Sequence, residues 1–107
     1  MSAFPNALRA GRAPIELAPK GAGSMTFRIE AAELWDAVRV IARPSTPLAE
    51  VKQRALGEFF PNGAAAHEFV LKFRGWEILD ENASLDDAGI TDGSIVLLGD
   101  RRRRAVR

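Results

Sequence analysis

Apolar and polar residues alternate with a period of two along MTFRIE, residues 25–30. Met25, Phe27 and Ile29 share one side and Thr26, Arg28 and Glu30 the other, which predicts a strand buried on one face. The alternation returns in AVRVIARP, where Val38, Val40 and Ala42 lie on one side and Arg39 and Arg43 on the other. A short connection between two such runs predicts a β-hairpin. The period then lengthens. Leu48, Val51, Ala55 and Phe59 recur at helical spacing and predict an amphipathic helix over about residues 46–58. Thr46 is placed to cap it, and Pro47 suits the first helical position, where a missing N–H removes no bond. Gly57 and the FPNG that follows signal its end, and AAAH reads as loop.

A third alternating run, EFVLKFR, sets Phe69, Leu71 and Phe73 against Val70, Lys72 and Arg74. Gly75-Trp76 reads as a turn into a short extended piece at Ile78–Leu79. In SLDDAGI, Ser84 and Asp87 have capping-box spacing, with Asp in place of the usual Glu, which predicts one helical turn. TDGS is a turn, and IVLLG is a last strand whose near-continuous apolarity suits a central place in a sheet. The order β-β-α-β-β-turn-β, with one helix to cover one sheet, predicts a two-layer α+β domain. Its predicted core is Phe27, Ile29, Val38, Val40, Leu48, Val51, Leu71, Leu85, Ile90, Val96 and Leu98.

Residues 1–24 lack any sustained period and contain three of the six prolines and three of the nine glycines, so a flexible extension is expected there. The domain is then 25–100, followed by a basic tail at 101–107. A chain of 107 residues has room for one core. It has no cysteine, no apolar run long enough to span a bilayer, and no apolar stretch near its start that reads as a signal peptide, so a cytoplasmic location is expected. The net charge of +1 hides an asymmetry: residues 25–100 carry 7 Lys/Arg against 13 Asp/Glu, while both ends are basic. A folded part of that sign does not suit nucleic-acid recognition, which needs a basic face.

Two stretches, PSTPLAEVK at 44–52 and FRGWEILDENASLDDAGITDGSIVLL at 73–98, resemble the ubiquitin family in order and separation. The resemblance extends over about residues 25–100 and includes the spacing of Leu85 and Ile90. It implies a β-grasp fold, a mixed sheet packed on one helix. DAGITDGS at 87–94 is also similar to the small ubiquitin-like proteins of bacterial type VII secretion systems. Twelve arginines against three lysines, with abundant alanine, fit a high-GC bacterial source.

Candidate chemistry is sparse. There is no thiol nucleophile, and His67, the sole histidine, sits in a loop without an evident orienting acid. Asp80, Glu81, Asp86, Asp87 and Asp92 lack the alternating ligands and central glycine of a calcium loop, and no glycine-rich phosphate loop opens a helix. Neither an enzyme nor a metal or cofactor site is expected.

The resemblance sharpens two surfaces. Ubiquitin-family members that are conjugated, or that carry sulfur, end in Gly-Gly on a flexible extension. Here Gly99 follows Leu98 directly and Arg107 ends the chain, so attachment is not expected. Arg101, Arg102, Arg103 and Arg104 read as a solvated stub, as a contact for an anionic partner, or as a segment folded onto the acidic body. On the sheet face away from the helix, Lys72 and Gly99 stand where the resemblance would place isoleucine and valine, so receptors of ubiquitin's own patch should not recognise it. That face is nonetheless expected to present Val70, Ile95 and Leu97, extended by Ile41, as a partner surface. Trp76 joins the candidates because tryptophan is enriched at binding hot spots, as does Trp35, although either could pack on its own core. The function expected first is a non-catalytic, monomeric, protein-binding ubiquitin-like module, possible in a secretion-associated assembly. Its alternatives are a modifier or sulfur carrier activated after trimming, and a basic-tail adaptor for nucleic acid or membrane.

Overall fold

A computed structural model of the chain describes residues 13–101. The predicted hairpin forms: β2 (Met25–Ala31) and β3 (Asp36–Ala42) pair antiparallel from Met25↔Ala42 to Ala31↔Asp36. A 3-10 turn at Ala32–Leu34 joins them and closes on Trp35, which takes a left-handed conformation with φ 52°. β6 (Ile95–Asp100) runs parallel to β2 and antiparallel to β4 (Phe69–Phe73), so the last strand is central as its apolarity predicts. The helix α1 (Leu48–Phe59) buries Leu48, Val51, Ala55 and Phe59, the predicted stripe, together with Leu56. All eleven predicted core residues are buried in the cluster that α1 and the sheet share.

The N-terminal expectation needs correction. Residues 13–24 do not belong to an extension, because β1 (Ile15–Glu16) pairs parallel with β3 through Ile15↔Val40 and Glu16↔Ile41. The Leu17 N–H extends the ladder by donating to the Ile41 carbonyl at 2.8 Å, and Ile15 is part of the core. Two paired residues are too few to show a period, and the flanking prolines hid the strand. Residues 1–12 lie outside the described residues. With β5 (Trp76–Glu77) at the far edge, the sheet order is β1-β3-β2-β6-β4-β5.

Local details also differ from the sequence reading. Thr46 does not cap α1. The cap position is Pro47, in an extended conformation and without a side-chain bond. The first orphan donors are satisfied from elsewhere: the N–H groups of Leu48 and Ala49 donate to the carbonyls of Ala83 and Glu81 at 3.0 and 2.7 Å. The 80–85 segment therefore serves as the cap, and a β-bridge between Pro47 and Ser84 holds it there. The helix also continues through Gly57. The turn after β4 is Arg74-Gly75, both at positive φ (57° and 85°), the arrangement of a tight two-residue hairpin. Trp76 consequently opens β5 (Trp76–Glu77), two residues earlier than the extended piece expected at Ile78–Leu79. Ser84 Oγ accepts the Asp87 N–H at 3.0 Å, as the capping-box spacing predicts. Asp92 is not merely a solvated turn residue, since its carboxylate accepts the Thr26 N–H at 2.7 Å and fastens the 91–94 turn to β2.

One turn into α1, Lys52 is buried and its Nζ lies 2.9 and 3.1 Å from the two carboxylate oxygens of Glu81. Glu81 thus serves α1 twice, with its carbonyl at Ala49 and its carboxylate at Lys52. Removing the carboxylate strands an ammonium in the interior, whereas replacing the lysine with an apolar chain of similar length strands little. Glu81→Ala is expected to lower the unfolding free energy by about 1–3 kcal/mol, less than for a fully enclosed pair because Glu81 is partly exposed. Lys52→Met should stay within about 1 kcal/mol of the parent. Urea unfolding of both variants checks the order.

Candidate protein-interaction face

The sheet face away from α1 is built from the alternate residues of each strand. Register places Arg28 between Arg39 of β3 and Ile95 of β6. In the adjacent row, Leu97 lies between Glu30 of β2 and Lys72 of β4, and Glu77 of β5 follows. Ile95 and Leu97 remain 43% and 38% exposed, although they are large aliphatic residues on the central strand. Their neighbours Val96 and Leu98 are buried against α1, so strand alternation alone commits this pair outward. The Arg28 guanidinium meets the Glu30 carboxylate at 3.1 Å beside them.

Two members of the expected patch are absent from it. Ile41 points outward but is buried, at the place where β1 pairs alongside it through Glu16. Val70 also points outward, opposite Gly99, yet is only 1% exposed. Strand periodicity gives the direction of both side chains and not their burial.

Toward the first hairpin the face continues instead to Trp35. This side chain is exposed and lines an open cleft of about 510 Å³ with Arg28, Glu30 and Ala37. The left-handed backbone at Trp35 turns the chain sharply into β3, a conformation uncommon for a bulky residue. Trp76 is exposed as well but stands apart. It pairs with Phe73, an inward-facing residue, and lines a different cleft of about 360 Å³ with Ile78, Ala83 and Ala88. The structure therefore does not unite Trp76 with Ile95 and Leu97.

Of the four consecutive arginines at 101–104, Arg101 falls within the described residues and is engaged with the body: its Nε donates to the His67 carbonyl at 2.9 Å and its Nη1 lies 3.5 Å from Glu77. Arg102, Arg103 and Arg104 lie outside the described residues. His67 is exposed in a 3-10 turn (Ala66–Glu68). Among the described residues no three His, Asp or Glu side chains converge as a metal site, and no helix is long and apolar enough to cross a membrane.

No protein-family model and no curated protein sequence matches this chain. Solved structures do match it. The ubiquitin of Caldiarchaeum subterraneum is similar over 74% of this chain and 95% of its own length, with TM-score 0.63 and 19% identity. A designed protein based on ubiquitin matches over 76% of this chain and 93% of its own, with TM-score 0.62 and 21% identity. The ubiquitin-like domain of an Arabidopsis thaliana protein matches over 79% and 85%, with TM-score 0.61 and 14% identity. The mixed sheet on one helix is thus a ubiquitin-like β-grasp fold.

The differing burial of the two outward-facing aliphatic sites has a measurable consequence. Val70→Ala is expected to destabilise the protein by about 1–2 kcal/mol because it empties a covered site. Leu97→Ala should change stability by less than about 1 kcal/mol, since much of its side chain already meets water. Equilibrium denaturation of the two variants in parallel tests this difference.

Proposed function

We propose that this protein is a non-catalytic, ubiquitin-like interaction module of the bacterial cytoplasm that binds another protein through the outer face of its sheet. The observation that carries the reading is the exposure of Ile95 and Leu97 on the central strand, with no described element packed over them. An apolar centre with Arg28, Glu30 and Lys72 around it has the make-up of an interface core with a polar rim. Trp35, at the edge of the same face, adds a side chain of the type enriched at hot spots. The likeness of the 87–94 turn to secretion-associated ubiquitin-like proteins supports a finer form of the proposal, in which the partner belongs to a secretion assembly.

The same reading holds that the protein is not conjugated. Gly99 pairs with Val70 inside β6 and Asp100 pairs with Phe69, so trimming at Gly99 would leave its carboxylate within the sheet. A terminus held there has no flexible reach into an adenylating active site. Incubation with cell extract and ATP, followed by mass spectrometry, is expected to show neither an isopeptide nor a thiocarboxylate ending at Gly99. Detection of either would replace the binding-module reading with that of a modifier.

The docking face is tested by capture from native lysate across a salt series. Leu97→Asp, first shown to be folded, is expected to abolish capture of the partner. Deletion of residues 102–107 should leave most of it at physiological salt, because burial of apolar area is little screened while contacts of an arginine run weaken steeply. Loss on tail deletion with Leu97→Asp harmless would move the site to the arginines.

A further inference from the structure

Val70 poses a physical question that the docking face leaves open. Its neighbour Leu71 faces α1 within the core, so Val70 faces out, and it does not belong to the core cluster. β6 cannot shield it, since the residue opposite is Gly99, where even a Cβ would meet nothing within 4 Å. The cover comes from the other side. Arg101 is rooted just beyond β6, and its guanidinium meets Glu77 on β5. Because β4 lies between β6 and β5, the Arg101–Glu77 pair must span the outer face of β4. Register sets Glu77 beside Lys72 and Asp100 beside Phe69, so the residue beneath that span is Val70.

We propose that Arg101 is a latch over Val70, opened by a partner protein segment that carries carboxylates next to apolar side chains. The proposal rests on the outer sheet face being the docking face. Three observations give the partner this chemistry. The latch is itself a carboxylate contact, so a competing carboxylate can take Arg101 from Glu77. The face also carries Arg39 and Lys72, neither of which has an ion pair among the described residues, although residues 25–100 are acidic as a whole. Finally, Val70 is the diagonal neighbour of Leu97 across the β4–β6 pair, so unlatching would extend the apolar centre from two residues to three. The Arg101–Glu77 contact suits a reversible device on the arginine's side: 3.5 Å is long for an ion pair and the guanidinium is 44% exposed, although Glu77 itself is largely buried.

The test uses the full chain with labelled methyl groups and a soluble, neutral gadolinium chelate, reading paramagnetic relaxation of Val70 against exposed Leu97 and buried Val96. In the parent protein Val70 is expected to relax as slowly as Val96. Arg101→Ala should raise the Val70 rate several-fold, toward that of Leu97, with Val96 unchanged as proof of an intact core. Glu77→Gln, which keeps the shape and removes the charge, should give a smaller rise of the same sign. Val70 protected equally in the parent and in Arg101→Ala would overturn the latch. Hexaglutamate added to the parent at low salt should shift the Arg101 Nε–H resonance and raise Val70 relaxation, whereas hexalysine should do neither. An unmoved Val70 under hexaglutamate, alongside an exposed Val70 in Arg101→Ala, would overturn opening by a carboxylate. None of these readings depends on capture by Leu97, so failure of the docking face would be separately visible.

Discussion

Among the described residues six strands share one α-helix, and that constraint governs the rest of the molecule. α1 can cover one face of the sheet, so every strand must place its apolar residues on that side and find another use for the opposite side. β2 and β3 meet this demand by alternation: Phe27, Ile29, Val38 and Val40 go in, while Arg28, Glu30 and Arg39 go out. β6 does not. It sits between two strands and is apolar on both sides, so Val96 and Leu98 complete the core while Ile95 and Leu97 are left on the open face. A continuous apolar strand normally has layers on both sides. Among the described residues no second layer lies over Ile95 and Leu97, and that is the place the proposed partner would take.

The open face is not left uncovered throughout. At one edge Ile41 is buried where β1 extends the sheet by a parallel strand. Near the other edge Val70 is buried as well, and the Arg101 latch accounts for its cover. Each device uses chain from outside the central hairpin and β6: one from the N-terminal side, the other from the end of the last strand. On the four central strands the large aliphatic residues left exposed are Ile95 and Leu97, with Trp35 at their border. Fold alone does not specify such an arrangement; it belongs to the particular side chains placed on the fold.

What could be read from the sequence follows the range of each interaction. The strands at 25–31, 36–42, 69–73 and 95–100 announce themselves through period two, and α1 through its stripe, because those signals come from neighbours along the chain. Leu85 and Ile90 are legible through the spacing they share with the ubiquitin family, and Ser84 through the donor it caps three residues on. The failures share the opposite property. Lys52 has no place in the apolar stripe of α1, and its burial follows from Glu81, twenty-nine residues away, being brought beside it. Thr46 reads as a cap until Ala83 and Glu81 supply carbonyls in its place. Ile41 and Val70 were placed on the correct face but assigned the wrong exposure, since alternation reports direction and not what lies overhead. At the candidate site, therefore, the legible half was Ile95, Leu97 and Lys72, and the illegible half was the cover.

The end of β6 shows why that distinction matters for function. In a chain that must offer its terminus to another active site, the residues after the last strand have to be slender and free of the body. Here the order of events along the strand runs the other way. Gly99 lies opposite Val70 within the ladder, Asp100 opposite Phe69, and Arg101 is tied to the His67 carbonyl. The absence of a side chain at Gly99 opens space over β4 rather than loosening the chain, because its neighbours on both sides are paired or bonded. Arg101 then reaches across that same stretch of β4 to Glu77. The exit of the last strand is thereby built into the sheet surface, and its first arginine contributes to the face that a partner would meet.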